Sequence, residues 1–138
     1  MQQLKKGTEE QFVFAGNSVF TLESGTTGRR FTYRVKKAED RNGLYFVSVL
    51  KGRDNDNDYA YVGILTKAGV KLTKASHHTK QSLCVKAIDF FMQHLANIPE
   101  ALHIYHEGRC CCCGRRLTTP ESITNGYGPE CAKLHHFR

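Results

Sequence analysis

Long apolar runs are missing from this sequence: no segment stays apolar for long enough to cross a membrane. Residues 1–6, MQQLKK, also lack the apolar centre of a secretory signal peptide. The six cysteines of a chain without such a signal are expected to stay reduced. The sequence therefore predicts a cytoplasmic protein with no membrane partner, and argues against a secreted protein held by disulfides.

Familiar catalytic motifs are missing as well. The chain has no Gly-rich phosphate loop, no nucleophile elbow and no HExxH pair. A zinc deaminase would need His-x-Glu upstream of Pro-Cys-x-x-Cys, and here no proline precedes the CxxC. We therefore predict that the protein is not an enzyme and has no small-molecule substrate.

Acidic residues are scarce beside basic ones. Asp and Glu number 13 against 20 Lys and Arg, which gives a net charge of +7 at pH 7. A basic protein tends to associate with polyanions, chiefly nucleic acid. A moderate positive charge is also found in proteins without such a partner, so the charge alone does not decide the function.

Short segments of alternating polarity, separated by Gly-rich turns, predict an antiparallel sheet. The expected strand segments are 12–14, 19–22, 29–37, 44–51, 59–65 and 70–74, with a last strand at 102–105. A helix is expected over 80–97, because apolar residues recur there at helical spacing, and Pro99 ends it.

The predicted fold class is α+β: an antiparallel β-meander of about five strands, packed on one long helix and followed by a treble-clef-like zinc lobe. We expect residues 1–10 to be a loose N-terminal lead-in. Residues 11–101 would form the α+β body, and residues 102–138 the zinc-binding lobe.

Cysteine spacing predicts a structural zinc site. Among the four consecutive cysteines, Cys110 and Cys113 are the pair with the CxxC spacing that lets two thiolates face one metal ion. Gly114 follows, where a tight turn often needs positive φ. Cys131 is the expected third ligand, because Pro129 is suited to open a helix whose first turn favours a thiolate.

The fourth ligand has two candidates. His106 stands four residues before Cys110, and His135 stands four residues after Cys131. We favour His106, because His135 is too near the chain end to be well held. Cys111 and Cys112 are expected not to bind the metal. Lipidation of the cysteines lacks an adjoining membrane segment, and a disulfide framework lacks a secretory signal.

Basic residues cluster on a predicted strand face and around the cysteines. The candidates for nucleic-acid binding are Arg30, Arg34, Lys36, Arg109, Arg115, Arg116 and Lys133. Phe31 and Tyr33 alternate with the basic residues of the strand, so they could stack on bases. We instead expect both rings to belong to the core.

The segment HEGRCCCCGRRLTTPESITNGYGPEC resembles a small zinc-finger domain of unknown function that occurs in bacteriophage and mobile-element proteins. The pattern is roughly HxGxCxxCGRxLTxPxSIxxGxGPxC. It is matched at His106, Gly108, Cys110, Cys113, Gly114, Arg115, Leu117, Thr118, Pro120, Ser122, Ile123, Gly126, Gly128, Pro129 and Cys131. The upstream strands and helix also resemble that family, which would extend the resemblance over nearly the whole chain.

This resemblance implies a zinc-binding fold and an origin in a phage or plasmid. A protein of that origin is expected in the cytoplasm of the host cell. The resemblance implies no established activity. The leading hypothesis is a non-enzymatic zinc protein that binds DNA or RNA electrostatically. The alternative is a small inhibitor that docks on a host protein such as a defence nuclease, with Tyr105, Tyr127 and the acidic loop 54–58 as contacts.

Overall fold

The computed structural model describes residues 2–40, 43–53 and 57–134. Within these ranges the chain forms seven strands and four helices. They are β1 (Gln2–Gln3), α1 (Glu9–Val13), β2 (Asn17–Ser24), β3 (Arg30–Lys37), β4 (Tyr45–Leu50), β5 (Tyr59–Thr66), β6 (Gly69–Lys71), α2 (Leu83–Gln93), β7 (Leu102–His106), α3 (Pro120–Asn125) and α4 (Pro129–Leu134). No helix within the described ranges is both long and apolar enough to span a membrane.

One antiparallel sheet contains all seven strands, in the order β1-β7-β2-β3-β4-β5-β6. The consecutive strands β2 to β6 lie side by side, so the predicted antiparallel sheet is confirmed. β7 joins the free edge of β2, and β1 pairs with β7. This pairing places the segment that precedes the cysteines beside β2, between β2 and the edge strand β1.

The hydrophobic core lies on one side of the sheet, which we call the inner face. The ring of Phe20 on β2 lies 5.8 Å from that of Phe91 on α2, and the hydroxyl of Tyr33 on β3 donates a hydrogen bond to the backbone carbonyl of Cys84. Tyr33 is fully buried and Phe31 is partly buried against the core, which confirms the prediction for both rings. This hydrogen bond connects the start of α2 to β3, the central strand of the sheet.

The N-terminal segment differs from the prediction in two ways. The strand expected at 12–14 is wrong, because Phe12 and Val13 end helix α1. Glu9 and Glu10 in its first turn suit the helix dipole, and a short apolar run does not distinguish strand from helix. The segment expected to be a loose lead-in also contains strand β1 at Gln2–Gln3 and the buried side chain of Leu4.

Helix α2 is shorter than predicted: it spans 11 residues instead of the expected segment 80–97. No long helix is present in the described part of the chain. Ser82 already has extended backbone angles, and His94 caps the other end, with Nδ1 2.8 Å from the carbonyl oxygen of Phe90. The apolar spacing continues past the helix because Leu95 and Ile98 pack against the core from turns.

Candidate metal centre and basic cleft

Three cysteines form a cluster that has the geometry of a metal site. The sulfur atoms of Cys110, Cys113 and Cys131 all lie within 4.8 Å of one another. Tetrahedral zinc with bonds of about 2.3 Å holds its sulfur ligands about 3.8 Å apart, so a small inward movement suffices. The residues present therefore fit a thiolate-binding metal such as zinc.

A tight turn and a short hairpin hold the first two cysteines. The turn 110–114, which we call the knuckle, is closed by the N–H of Gly114 donating to the carbonyl of Cys110 at 2.9 Å. Gly114 has a φ of 75°, which a residue with a Cβ adopts only under strain. Arg109 and Arg116 pair as an antiparallel bridge on either side of the knuckle.

The third cysteine comes from the first turn of α4, as predicted from Pro129. Before it, α3 is capped by the side chain of Thr119, which accepts the N–H of Ser122, and ends at Gly126 with a φ of 84°. This short helix and its stop return the chain to the knuckle. The N–H of Cys111 donates to the carbonyl of Gly126 at 3.0 Å.

Backbone donors favour a thiolate at Cys110. Burial raises its pKa, but N–H groups of Cys113, Gly128 and Cys112 point to the sulfur and bring the pKa down to about 7. The N–H of Cys112 lies 3.4 Å from that sulfur. Burial raises the pKa of Cys131, and its hydrogen bonds to the Cys110 and Cys113 sulfurs raise it further. Since the thiolate is the form that binds metals, these backbone donors favour metal binding by Cys110.

The two middle cysteines have a different environment. Cys111 is fully buried, and burial raises its pKa to about 12. Its carbonyl accepts the N–H of Asn17 at 2.9 Å, so it anchors the knuckle to the start of β2. The sulfur cluster of the described residues includes neither Cys111 nor Cys112.

His106, the favoured fourth ligand, lies at the end of β7 and is fully buried. Its Nδ1 accepts the N–H of Gly108 at 3.0 Å, and its ring lies 5.7 Å from that of Phe12. Burial lowers its pKa, while the backbone of Ile123 acts in the opposite direction. Among the described residues, the sulfur cluster does not include His106. His135 lies outside the described residues, so the fourth ligand stays a prediction.

A basic cleft lies beside the cysteine cluster. Its volume is about 420 Å³, and it is bounded by β2, β3 and the knuckle. The basic residues that line it are Arg34, Lys36, Arg109 and Arg116. Among the described residues of its lining, Glu107 is the one acidic residue, and Cys113 lies at the wall of the cleft. Four candidates for nucleic-acid binding, from two distant parts of the chain, thus converge on one concave surface.

The other three candidates lie elsewhere. Arg30 is 2.5 Å from Glu23 on the neighbouring strand and 5.9 Å from the ring of Tyr105. Desolvation raises the pKa of Glu23, but His103 and Arg30 outweigh it and lower the pKa overall. Arg115 and Lys133 are exposed and are not part of the cleft lining. Arg116 pairs with Arg109 across the knuckle, whereas its neighbour Arg115 does not line the cleft.

Two other expectations concern contacts with a protein partner. Tyr127 was expected to be exposed, but it is buried, with 5% of its surface accessible. It follows Gly126 at the end of α3, where the chain turns into the core. Tyr105 is partly exposed, and residues 54–56 of the acidic loop lie outside the described residues.

Sequence reasoning missed a group of aromatic side chains. The side of the sheet opposite the core, which we call the outer face, carries Phe46, Tyr59 and Tyr61. Phe46 is 42% exposed and lies 6.2 Å from the ring of Tyr61, and the guanidinium of Arg34 lies 4.3 Å from the ring of Tyr59. Tyr59 and Tyr61 are two residues apart in a strand, and this spacing could have predicted that both rings lie on the same face of the sheet.

Comparison with known proteins gives a family match without a function. A search of curated proteins found no match, and a search of solved structures found none. Residues 100–136 of the chain, which include β7 and all three clustered cysteines, match the model of the Family of unknown function (DUF6011).

Proposed function

We propose that this chain is a non-enzymatic zinc-binding protein of phage or mobile-element origin that binds nucleic acid through its basic cleft. The observation that carries the proposal is the convergence of Arg34, Lys36, Arg109 and Arg116 beside the cysteine cluster. The phage or mobile-element origin rests on the sequence resemblance alone.

The metal would be structural zinc in a treble-clef-like lobe. Cys110 and Cys113 come from a knuckle and Cys131 from a helical first turn, with His106 or His135 as the fourth ligand. A site closed by four protein ligands has no open position for a reactant, so the metal stabilises the fold. Such a site requires reduced thiols, and we place the protein in the cytoplasm for that reason.

The nucleic acid, DNA or RNA, would be held through its phosphates. The cleft has four positive side chains and one negative one, so its local charge is strongly positive. Lys and Arg that neutralise phosphates release condensed counterions, which makes binding favourable at low salt and weak at high salt. Contacts of this kind give affinity and orientation but little sequence preference.

The test is fluorescence anisotropy of labelled oligonucleotides with zinc-loaded protein at several salt concentrations. We compare the double variant Lys36→Glu/Arg116→Glu with Lys86→Glu/Arg29→Glu, which makes the same change in net charge away from the cleft. The cleft variant should bind at least about tenfold more weakly, with a salt slope lower by about 1 per lost phosphate contact. Equal losses in both variants, or no binding by the wild type at low salt, would overturn the proposal.

A second candidate function, docking on a host protein, is favoured by a different surface. An apolar groove of about 490 Å³ lies between α2 and the β2–β3 hairpin, and Leu83 and Phe90 beside it are 51% and 47% exposed. Large exposed apolar side chains in one groove are typical of protein contacts.

A pull-down from host lysate distinguishes the two functions. If the groove binds a host protein, the wild type and the cleft variant Lys36→Glu/Arg116→Glu should both retain that protein. Leu83→Ser/Phe90→Ser should lose it. If Leu83→Ser/Phe90→Ser retains the same proteins as the wild type, the groove is not a docking site for a host protein.

A further inference from the structure

The outer face of the sheet has an exposed aromatic pair. Phe46 on β4 is 42% exposed, although a phenyl ring is normally buried. It meets the ring of Tyr61 on β5 edge to face, with centroids 6.2 Å apart. The hydroxyl of Tyr61 is anchored by that of Thr73, at 3.4 Å. The pair therefore offers ring surface to solvent from a rigid strand.

This aromatic pair is continuous with the basic cleft. Lys36, which lines the cleft, lies directly opposite Phe46 in the β3–β4 ladder. Arg34, which also lines it, lies opposite Ser48, and Ser48 in turn pairs with Tyr61. Directly opposite residues have Cβ atoms about 5 Å apart. The surface from β2 to β5 thus changes from cationic to aromatic over three strand spacings, about 14 Å.

We infer that the chain binds single-stranded nucleic acid, with phosphates in the basic cleft and unpaired bases stacked on Phe46 and Tyr61. This inference rests on the proposed function and specifies its ligand. Positive charge and an adjoining aromatic surface are the two parts of a single-strand binding site, because the charge holds the backbone and every base has a face that can stack.

A duplex fits this surface less well. The bases of a duplex are stacked on one another, so they have no free face to offer to Phe46. A duplex would use only the cleft, and its affinity would depend on phosphate contacts alone. A single strand gains both contributions, which predicts a preference for unpaired over paired nucleic acid of the same length.

The experiment measures the binding of a labelled oligothymidylate and of a duplex of equal length to the zinc-loaded full chain, over a range of salt concentrations. We expect the single strand to bind about tenfold more tightly. Phe46→Ala should remove most of that preference and leave the salt slope unchanged, because the slope counts phosphates. Phe46→Tyr keeps the ring and should keep the preference.

The results separate failure of the inference from failure of the proposed function. Equal affinity for both ligands, lost in Lys36→Glu/Arg116→Glu but unchanged in Phe46→Ala, would overturn the inference and leave the basic cleft in place. Absence of binding to either ligand at low salt would overturn both. Because Phe46 is 42% exposed, the Ala variant should still fold and unfold cooperatively, and its melting curve is checked first.

Discussion

Cys110 and Cys111 are neighbours in the knuckle, but their thiol pKa values are shifted in opposite directions. The pKa of Cys110 is lowered to about 7 by backbone N–H groups despite its burial, whereas burial raises the pKa of Cys111 to about 12. The CxxC spacing identified Cys110 and Cys113 as candidate ligands, and Pro129 identified Cys131 in the first turn of the helix that follows. The spacing did not predict that Cys111 anchors the knuckle, because the hydrogen bond between its carbonyl and the N–H of Asn17 joins residues far apart in the sequence.

We predict that Cys113→Ser loses the metal, because one of the three clustered sulfurs is removed. Zinc per chain, measured by elemental analysis, should fall from about one to near zero. Amide exchange in α3 should become fast, because metal binding supplies folding free energy to this part of the chain.

Cys112→Ser is the matched control for that change, since Cys112 belongs to the same knuckle but lies outside the sulfur cluster. It should keep full zinc content and slow exchange. A Cys113→Ser protein with normal zinc content and a native melting curve would show that the ligand assignment is wrong.

Gly126 is a position at which an added Cβ atom would destabilise the fold. It ends α3 with a φ of 84°, and an added Cβ would lie 2.8 Å from the ring of Phe12. Gly126→Ala should lower the free energy of unfolding by about 1–3 kcal/mol, through backbone strain and this clash. Gly128→Ala, where an added Cβ meets nothing within 4 Å, should change it by about 0.5 kcal/mol or less. Urea unfolding measures both, and equal effects would contradict the account.

At the scale of elements, alternation and turn residues were sufficient to predict strands β2 to β5 to within a residue or two. The errors fell on short apolar runs. Phe12 and Val13 form a short apolar run that fits a strand or a helix equally well, so the run alone did not identify α1. The end of α2 was also missed, because Leu95 and Ile98 pack at helical spacing from turns.

The contact between β3 and α2 gives a pH-dependent prediction. Burial raises the pKa of Tyr33 well above its usual value, and its hydroxyl donates to the carbonyl of Cys84. An acid whose pKa is raised by folding contributes stability below its unfolded pKa of about 10 and loses it as the pH rises.

Tyr33→Phe should therefore cost about 1 kcal/mol at pH 7, for the lost hydrogen bond. Above about pH 10, the difference from the wild type should shrink, because Tyr33 can ionise in the unfolded wild type, and this stabilises the unfolded state of the wild type but not that of the variant. Urea unfolding of both proteins between pH 7 and pH 11, with reductant present, measures this difference. A difference that stays constant with pH would show that Tyr33 ionises equally in both states.

At the scale of the whole molecule, the basic cleft depends on the fold. Arg34 and Lys36 come from β3, and Arg109 and Arg116 from the hairpin about 75 residues later. The sequence identified all four as basic candidates but equally included Arg30, Arg115 and Lys133. Composition cannot show that Arg30 pairs with Glu23, nor that the knuckle docks on the start of β2.

In the proposed function, metal bound to Cys110 and Cys113 would order the hairpin that supplies Arg109 and Arg116 to the nucleic-acid-binding cleft. The most direct test of this ordering is a zinc titration of metal-free protein in the presence of a labelled oligonucleotide, followed by anisotropy. The account predicts that affinity rises with zinc and saturates at one zinc per chain, and that Cys113→Ser does not respond. Equal affinity with and without zinc, or the same rise in Cys113→Ser, would contradict it.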